Sequence, residues 1–66
     1  MAYAIKRLSD DRLMHVRFVL DDDCRYMYYL PTNFTGYFTF KQAWDDLLAA
    51  SGDGIYEVGD YLVVEV

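Results

Sequence analysis

The chain carries one histidine, His15, and one cysteine, Cys24. A thiolate–imidazole nucleophile needs the two side chains within hydrogen-bond reach and a third group to orient the base. His15 falls on the polar face of an alternating stretch, and Cys24 serves equally well as a small buried hydrophobe. The pair is therefore not read as catalytic. Asp21-Asp22-Asp23 invites a calcium reading, but a calcium loop takes acids at alternate positions, a central glycine and a distal bidentate glutamate. Three adjacent aspartates point in different directions and read as a solvated turn. Ser51-Gly52-Asp53-Gly54 is glycine-rich, yet a phosphate loop precedes a helix, where the free N–H donors lie, and this run follows one. Asp45 and Asp46 are helix neighbours rather than a facing acid/base couple. A Cys/His zinc site would lack two ligands. These residues predict no enzyme, no metal and no cofactor.

Binding chemistry is better supplied. Seven of the 66 residues are tyrosines, and tyrosine offers large contact area and a hydroxyl at low entropic cost. The net charge is −5, and it is unevenly spread. Residues 1–25 carry Lys6, Arg7, Arg12, Arg17 and Arg25 against Asp10, Asp11, Asp21, Asp22 and Asp23. Residues 26–66 set Lys41 alone against Asp45, Asp46, Asp53, Glu57, Asp60 and Glu65. Asp45, Asp46, Asp53 and Asp60, joined by Tyr56 and Tyr61, are the candidate partner-binding residues. An acidic surface of this kind attracts arginine- and lysine-rich sites and repels nucleic acid.

The elements that must position these residues follow from periodicity. Ala2 to Leu8 reads as a strand, and Ser9-Asp10-Asp11 as a turn. Arg12 to Leu20 alternates: Met14, Val16, Phe18 and Leu20 fall on one face, Leu13, His15, Arg17 and Val19 on the other. Cys24 to Leu30 pairs back on it as a hairpin and ends at Pro31, which cannot donate to a ladder. Phe34, Tyr37 and Phe38 are expected to tuck under the helix or cluster locally. Thr39 and Gln42 have capping-box spacing. Phe40, Ala43, Trp44, Leu47, Leu48 and Ser51 then keep helical spacing to about Ser51, with Gly52 as a left-handed cap. Asp45, Asp46 and Ala49 lie opposite. Gly54 to Val66 reads as a closing hairpin about Gly59-Asp60. Ile55, Leu62, Val64 and Val66 are assigned to the core, and Tyr56, Val58, Tyr61 and Val63 to an outer face.

The prediction is one α+β domain, residues 1–66, in β-β-β-α-β-β order, with the helix at about 40–51 on one face of an antiparallel or mixed sheet. A domain this small buries only about 60% of its unfolded surface, and a lone cysteine gives it no internal disulfide. The lone thiol and the lack of an apolar leader suggest a soluble, cytoplasmic protein, and no stretch is long enough to span a bilayer. The expected function is a small acidic interaction or inhibitor module that docks on a basic site of a larger protein, such as a nucleic-acid enzyme. In size and charge this is similar in type to phage and mobile-element inhibitors such as anti-CRISPR and antirestriction proteins, with no motif behind the comparison. One alternative is a nucleic-acid binder using the basic and aromatic N-terminal strands, which the net charge opposes. Another is a self-associating module, because the apolar last strand, as a sheet edge, invites a homodimer.

Overall fold

A computed structural model of the chain describes residues 2–31, 33 and 36–66. Strands β1 (Tyr3–Arg7), β2 (Leu13–Val19) and β3 (Cys24–Tyr29) precede helix α1 (Phe40–Gly52). A 3-10 turn (Val58–Asp60) leads into β4 (Tyr61–Glu65). The four strands form one antiparallel sheet in the order β3-β2-β1-β4, with α1 against one face. The α+β class, the first three strands, the β2–β3 hairpin and the helix are as the sequence predicts.

The closing hairpin is not. Only Tyr61–Glu65 is a strand, and its partner is β1, with Ile5 opposite Val63. The reason is topological. The helix ends beside β3, where Asp53 bonds Arg25, while β4 lies on the other edge of the sheet. Residues 54–60 are spent on crossing between them. The turn about Gly59-Asp60 closes as a single helical turn, with the Asp60 amide on the Glu57 carbonyl at 3.0 Å.

This pairing inverts the predicted faces, because Ile5 is buried against the helix and Val63, opposite it, shares its face. Val63 is buried, and Tyr56, Val58 and Tyr61 pack against the core beneath the helix. Ile55, Leu62 and Val66 are about half exposed instead of buried. The core takes Ile5, Met14, Met27 and Val63, one from each strand, and closes them with Ala43, Leu47 and Ala50 of α1.

Thr39 and Gln42 form the expected capping box: the Gln42 amide donates to Thr39 Oγ1 at 3.1 Å, and the Thr39 amide to Gln42 Oε1 at 3.3 Å. The buried stripe is narrower than predicted. Ala43, Leu47 and Ala50 face the sheet, while Phe40 and Leu48 are half exposed and Ala49 is half-buried. Two alanines on the contact stripe let the helix backbone approach the sheet closely, and the larger side chains are displaced to the flank. Gly52 ends the helix without a left-handed conformation; Asp53 caps it in the right-handed region, and the positive φ of 85° belongs to Gly54. Phe18 and Leu20 are exposed rather than buried. β1 pairs with β2 only at Ile5/Met14 and Lys6/Leu13, so the far end of the β2–β3 hairpin runs past it.

Tyr37 closes the gap this leaves. The β1–β2 register would next set the Val16 amide on the Tyr3 carbonyl. Instead Tyr3 exchanges backbone hydrogen bonds with Tyr37, at 2.9 and 2.8 Å. The Val16 amide donates to the Tyr37 hydroxyl at 2.9 Å. One residue thus supplies a backbone partner to β1 and a side-chain acceptor to β2, which meets the need of buried amides for partners. Burial pushes the Tyr37 hydroxyl well above its usual range, and the Asp46 carboxylate adds to the rise. Tyr3, Phe40 and Trp44 form an aromatic cluster that the sequence does not predict, with Tyr3 edge-on to Phe40 at 6.0 Å. Phe38 is almost fully exposed rather than tucked in. The packing expected of Phe34 lies outside the described residues.

Candidate interaction surface

The six residues singled out from the sequence fall into separate neighbourhoods. Asp45 is exposed and ion-paired with Lys41 at 2.6 Å along the helix. Asp46, expected on the outer helix face, is half-buried and hydrogen-bonded to the Tyr37 hydroxyl. Asp60 is exposed at the start of β4, where its carbonyl accepts from the Leu8 amide at 2.9 Å. Tyr61 stands edge-on to Tyr56 at 6.0 Å, on the helix side of the sheet rather than its outer face. Burial raises the Tyr61 hydroxyl above its ordinary value, and the neighbouring Tyr56 adds to this.

Asp53 and Tyr56 share a structural task. The β2–β3 ladder uses the amides of alternate residues, and the Leu30 amide on the Leu13 carbonyl sets the phase. The amides of Arg25 and Met27 therefore point out of the sheet. Arg25 N–H donates to Asp53 Oδ2 at 2.7 Å, and Met27 N–H to the Tyr56 hydroxyl at 2.9 Å. These two side chains cover a sheet edge that would otherwise be a template for another strand. Tyr56→Phe is expected to cost about 1–3 kcal/mol, the penalty for leaving a part-buried amide without an acceptor. Urea denaturation checks the loss, and hydrogen exchange at the Met27 amide should accelerate in the same variant.

Among the described residues no helix or strand packs on the face of the sheet opposite α1. Strand register places Ala4, Lys6, Leu13, His15, Arg17, Tyr26, Tyr28, Leu62 and Val64 there, because each alternates with a core residue or pairs with one that does. Antiparallel sheets with one solvated face usually make that face polar. Here Leu13, Tyr26, Tyr28, Leu62 and Val64 dominate it, and Tyr28 and Leu62 are 42% and 50% exposed. Its basic side chains have local partners. The Arg17 guanidinium lies 5.8 Å from the Tyr28 ring centre, His15 is 6.1 Å from the same ring, and Lys6 pairs with Asp11 at 3.4 Å. Partial burial, and then the Arg17 charge, push the His15 imidazole below its ordinary pKa. The Tyr26 hydroxyl donates to Asp22 at 3.0 Å, and that bond raises its pKa.

The remaining N-terminal cations lie on the helix side of the sheet. Arg7 clamps Asp10 through two bonds, at 3.0 and 2.6 Å, and holds its carboxyl down at about 2. Arg12 stacks over Tyr29 at 4.4 Å and Arg25 over Phe18 at 5.3 Å.

His15 and Cys24 share the open face but do not meet. The Arg17/Tyr26 pair separates them along the ladder, a spacing of four residues or about 13 Å. Asp21, Asp22 and Asp23 occupy a turn in which Asp23 has φ 53°. Among the described residues no group of three or more His, Cys, Asp or Glu is placed to hold a metal ion. No helix among them is long and apolar enough to cross a membrane.

Leu62 and Val64 are the part of this face that sequence reasoning missed. Alternation in the last strand shows two sets of side chains, but only pairing with Ile5 decides which set is buried. No family model matches the chain, and no curated protein or solved structure does so.

Proposed function

We propose that this chain is a protein-binding module without catalytic activity, and that its contact surface is the open face of the sheet. The observation that carries the reading is the apolar and aromatic character of that face, with Tyr28 and Leu62 about half exposed and Arg17 stacked beside Tyr28. Tyrosine and arginine are the residues that most often dominate binding energy at protein interfaces, and an exposed patch of this kind marks a contact site. The partner is a larger protein with a basic surface, of the sort nucleic-acid enzymes carry, beside an apolar patch that takes the sheet face. A net charge of −5 steers the module toward such a surface at long range, and the sheet face supplies the fit.

The test is capture from a lysate of the source cells on the immobilised chain, at low and at raised salt, with the Arg17→Glu/Tyr28→Ala double variant beside it. The expected result is a protein retained by the native chain, weakened by salt and lost in the double variant, whose circular dichroism remains native. Equal retention by both chains, or none by either, would overturn the reading.

The Arg17 guanidinium over Tyr28 favours one second reading, a single-stranded nucleic-acid platform, since bases stack on such rings. A gel shift with single-stranded RNA and DNA decides between the two. Salt-sensitive binding there, absent from the double variant, would replace the protein reading.

A further inference from the structure

The two edges of the sheet are treated differently by the chain. At β3 the outward amides of Arg25 and Met27 are taken by Asp53 and Tyr56. At β4 the backbone of Leu62, Val64 and Val66 is turned toward β1, as the Val66 amide on the Ala2 carbonyl at 2.9 Å shows. Tyr61, Val63 and Glu65 therefore turn their backbone outward. The Tyr61 amide is used by the Val58 carbonyl of the 3-10 turn. Among the described residues no side chain caps the amides of Val63 and Glu65. β4 contains no proline, no bulge and no lysine, the devices by which natural edge strands avoid pairing; its one charge is Glu65.

We propose that β4 pairs antiparallel with β4 of a second copy of this chain, about a two-fold axis at Val63, joining two four-stranded sheets into one. The strand is self-complementary in that register. Val63 meets its own copy, Leu62 meets Val64 of the other chain, and Glu65 meets Tyr61. The two Glu65 carboxylates then lie about four residues, or roughly 13 Å, apart. Moving the two-fold axis two residues toward the C-terminus, a slip of four in register, would set Glu65 against Glu65, and like charges directly opposite destabilise a strand pair. Charge therefore excludes the register centred on Glu65. Leu62, half exposed in the single chain, gains an apolar neighbour on the open face. The pairing is isologous and closes on itself. The edges left at either end of the joined sheet are the two copies of β3, already covered, so assembly stops at the dimer and does not continue as a fibre.

Sedimentation equilibrium over a range of concentrations tests this. The native chain is expected to reach twice its mass of 7.8 kDa. Glu65→Pro removes an outward amide and puts a ring into the seam without touching the β1 ladder, so it is expected to sediment as a folded monomer. Leu62→Cys with Val64→Cys, in a Cys24→Ser background, gives a second readout that does not depend on that variant folding. Oxidation should link most of the double variant into covalent dimers and far less of Leu62→Cys alone, because only the pair faces across the seam. A native chain that remains monomeric at millimolar concentration, or a Glu65→Pro chain that still dimerises, would overturn the proposal. So would equal cross-linking of the single and double cysteine variants.

Discussion

Gly36→Ala is expected to destabilise the fold strongly although it adds a single methyl group. Gly36 has φ +93°, and an added Cβ would sit 2.6 Å from the Tyr3 carbonyl oxygen and 3.1 Å from the Ala2 Cβ. Positive φ alone costs a non-glycine residue about 1–2 kcal/mol, and a clash against backbone cannot be relieved by rotating a side chain. The segment must move, and Tyr37 is the next residue. Its backbone would leave Tyr3 and its hydroxyl would leave the Val16 amide, opening the sheet between β1 and β2. A total cost of about 3 kcal/mol corresponds to a fall in Tm of roughly 12–24 °C in a domain of this size. Gly59→Ala is the matched control, since nothing lies within 4 Å of its added Cβ; its effect should stay within about 0.5 kcal/mol. Thermal melts followed by circular dichroism compare them. Coincident melts would mean that the Gly36–Tyr37 segment does not hold β1 and β2 together.

Leu47→Ala and Leu48→Ala are expected to separate sharply, although the two side chains are adjacent and equally apolar. Leu47 is fully buried among Ile5, Met14, Met27 and the helix alanines, while Leu48 is 48% exposed. Truncating a buried leucine costs about 2–5 kcal/mol, from lost transfer energy and the cavity left behind. A chain of 66 residues has a total stability of only about 3–10 kcal/mol at the usual value per residue. Leu47→Ala should therefore be largely or wholly unfolded in mild urea, while Leu48→Ala should cost less than about 1 kcal/mol. Urea midpoints with unchanged slopes are the measurement. Similar midpoints for both variants would mean that the sheet does not favour the Ala43-Leu47-Ala50 stripe over the Trp44-Leu48 flank.

That contrast shows where legibility stops. Helical spacing identifies α1 and its cap, because hydrogen bonds between Thr39 and Gln42 are local and their geometry is set by three intervening peptide bonds. The same spacing places Ala43, Trp44, Leu47 and Leu48 on one broad arc without choosing its centre. The choice belongs to the sheet, which accepts the small side chains of Ala43 and Ala50 most closely. Asp53 and Tyr56 show the same limit at the surface. An aspartate and a tyrosine after a helix read as solvent-facing contact residues. They are instead partners of backbone amides more than 25 positions earlier, at Arg25 and Met27.

By itself the sequence determined the class of the domain, three N-terminal strands and their hairpin, the span of the helix, and the spread of its charge. All of these rest on interactions between residues near one another in the chain. Only the tertiary structure decided the fate of the last thirteen residues. Val58-Gly59-Asp60-Tyr61 has the chemistry of a tight hairpin turn, but a better partner for Tyr61–Glu65 was waiting at the free side of β1. Pairing with β1 sets Val63 opposite Ile5, packs the tyrosines the sequence places outside against the core, and leaves Leu62 on the open face. A strand has two faces and a period of two, so its own residues define both sets equally well. Which set is inside depends on the strand beside it.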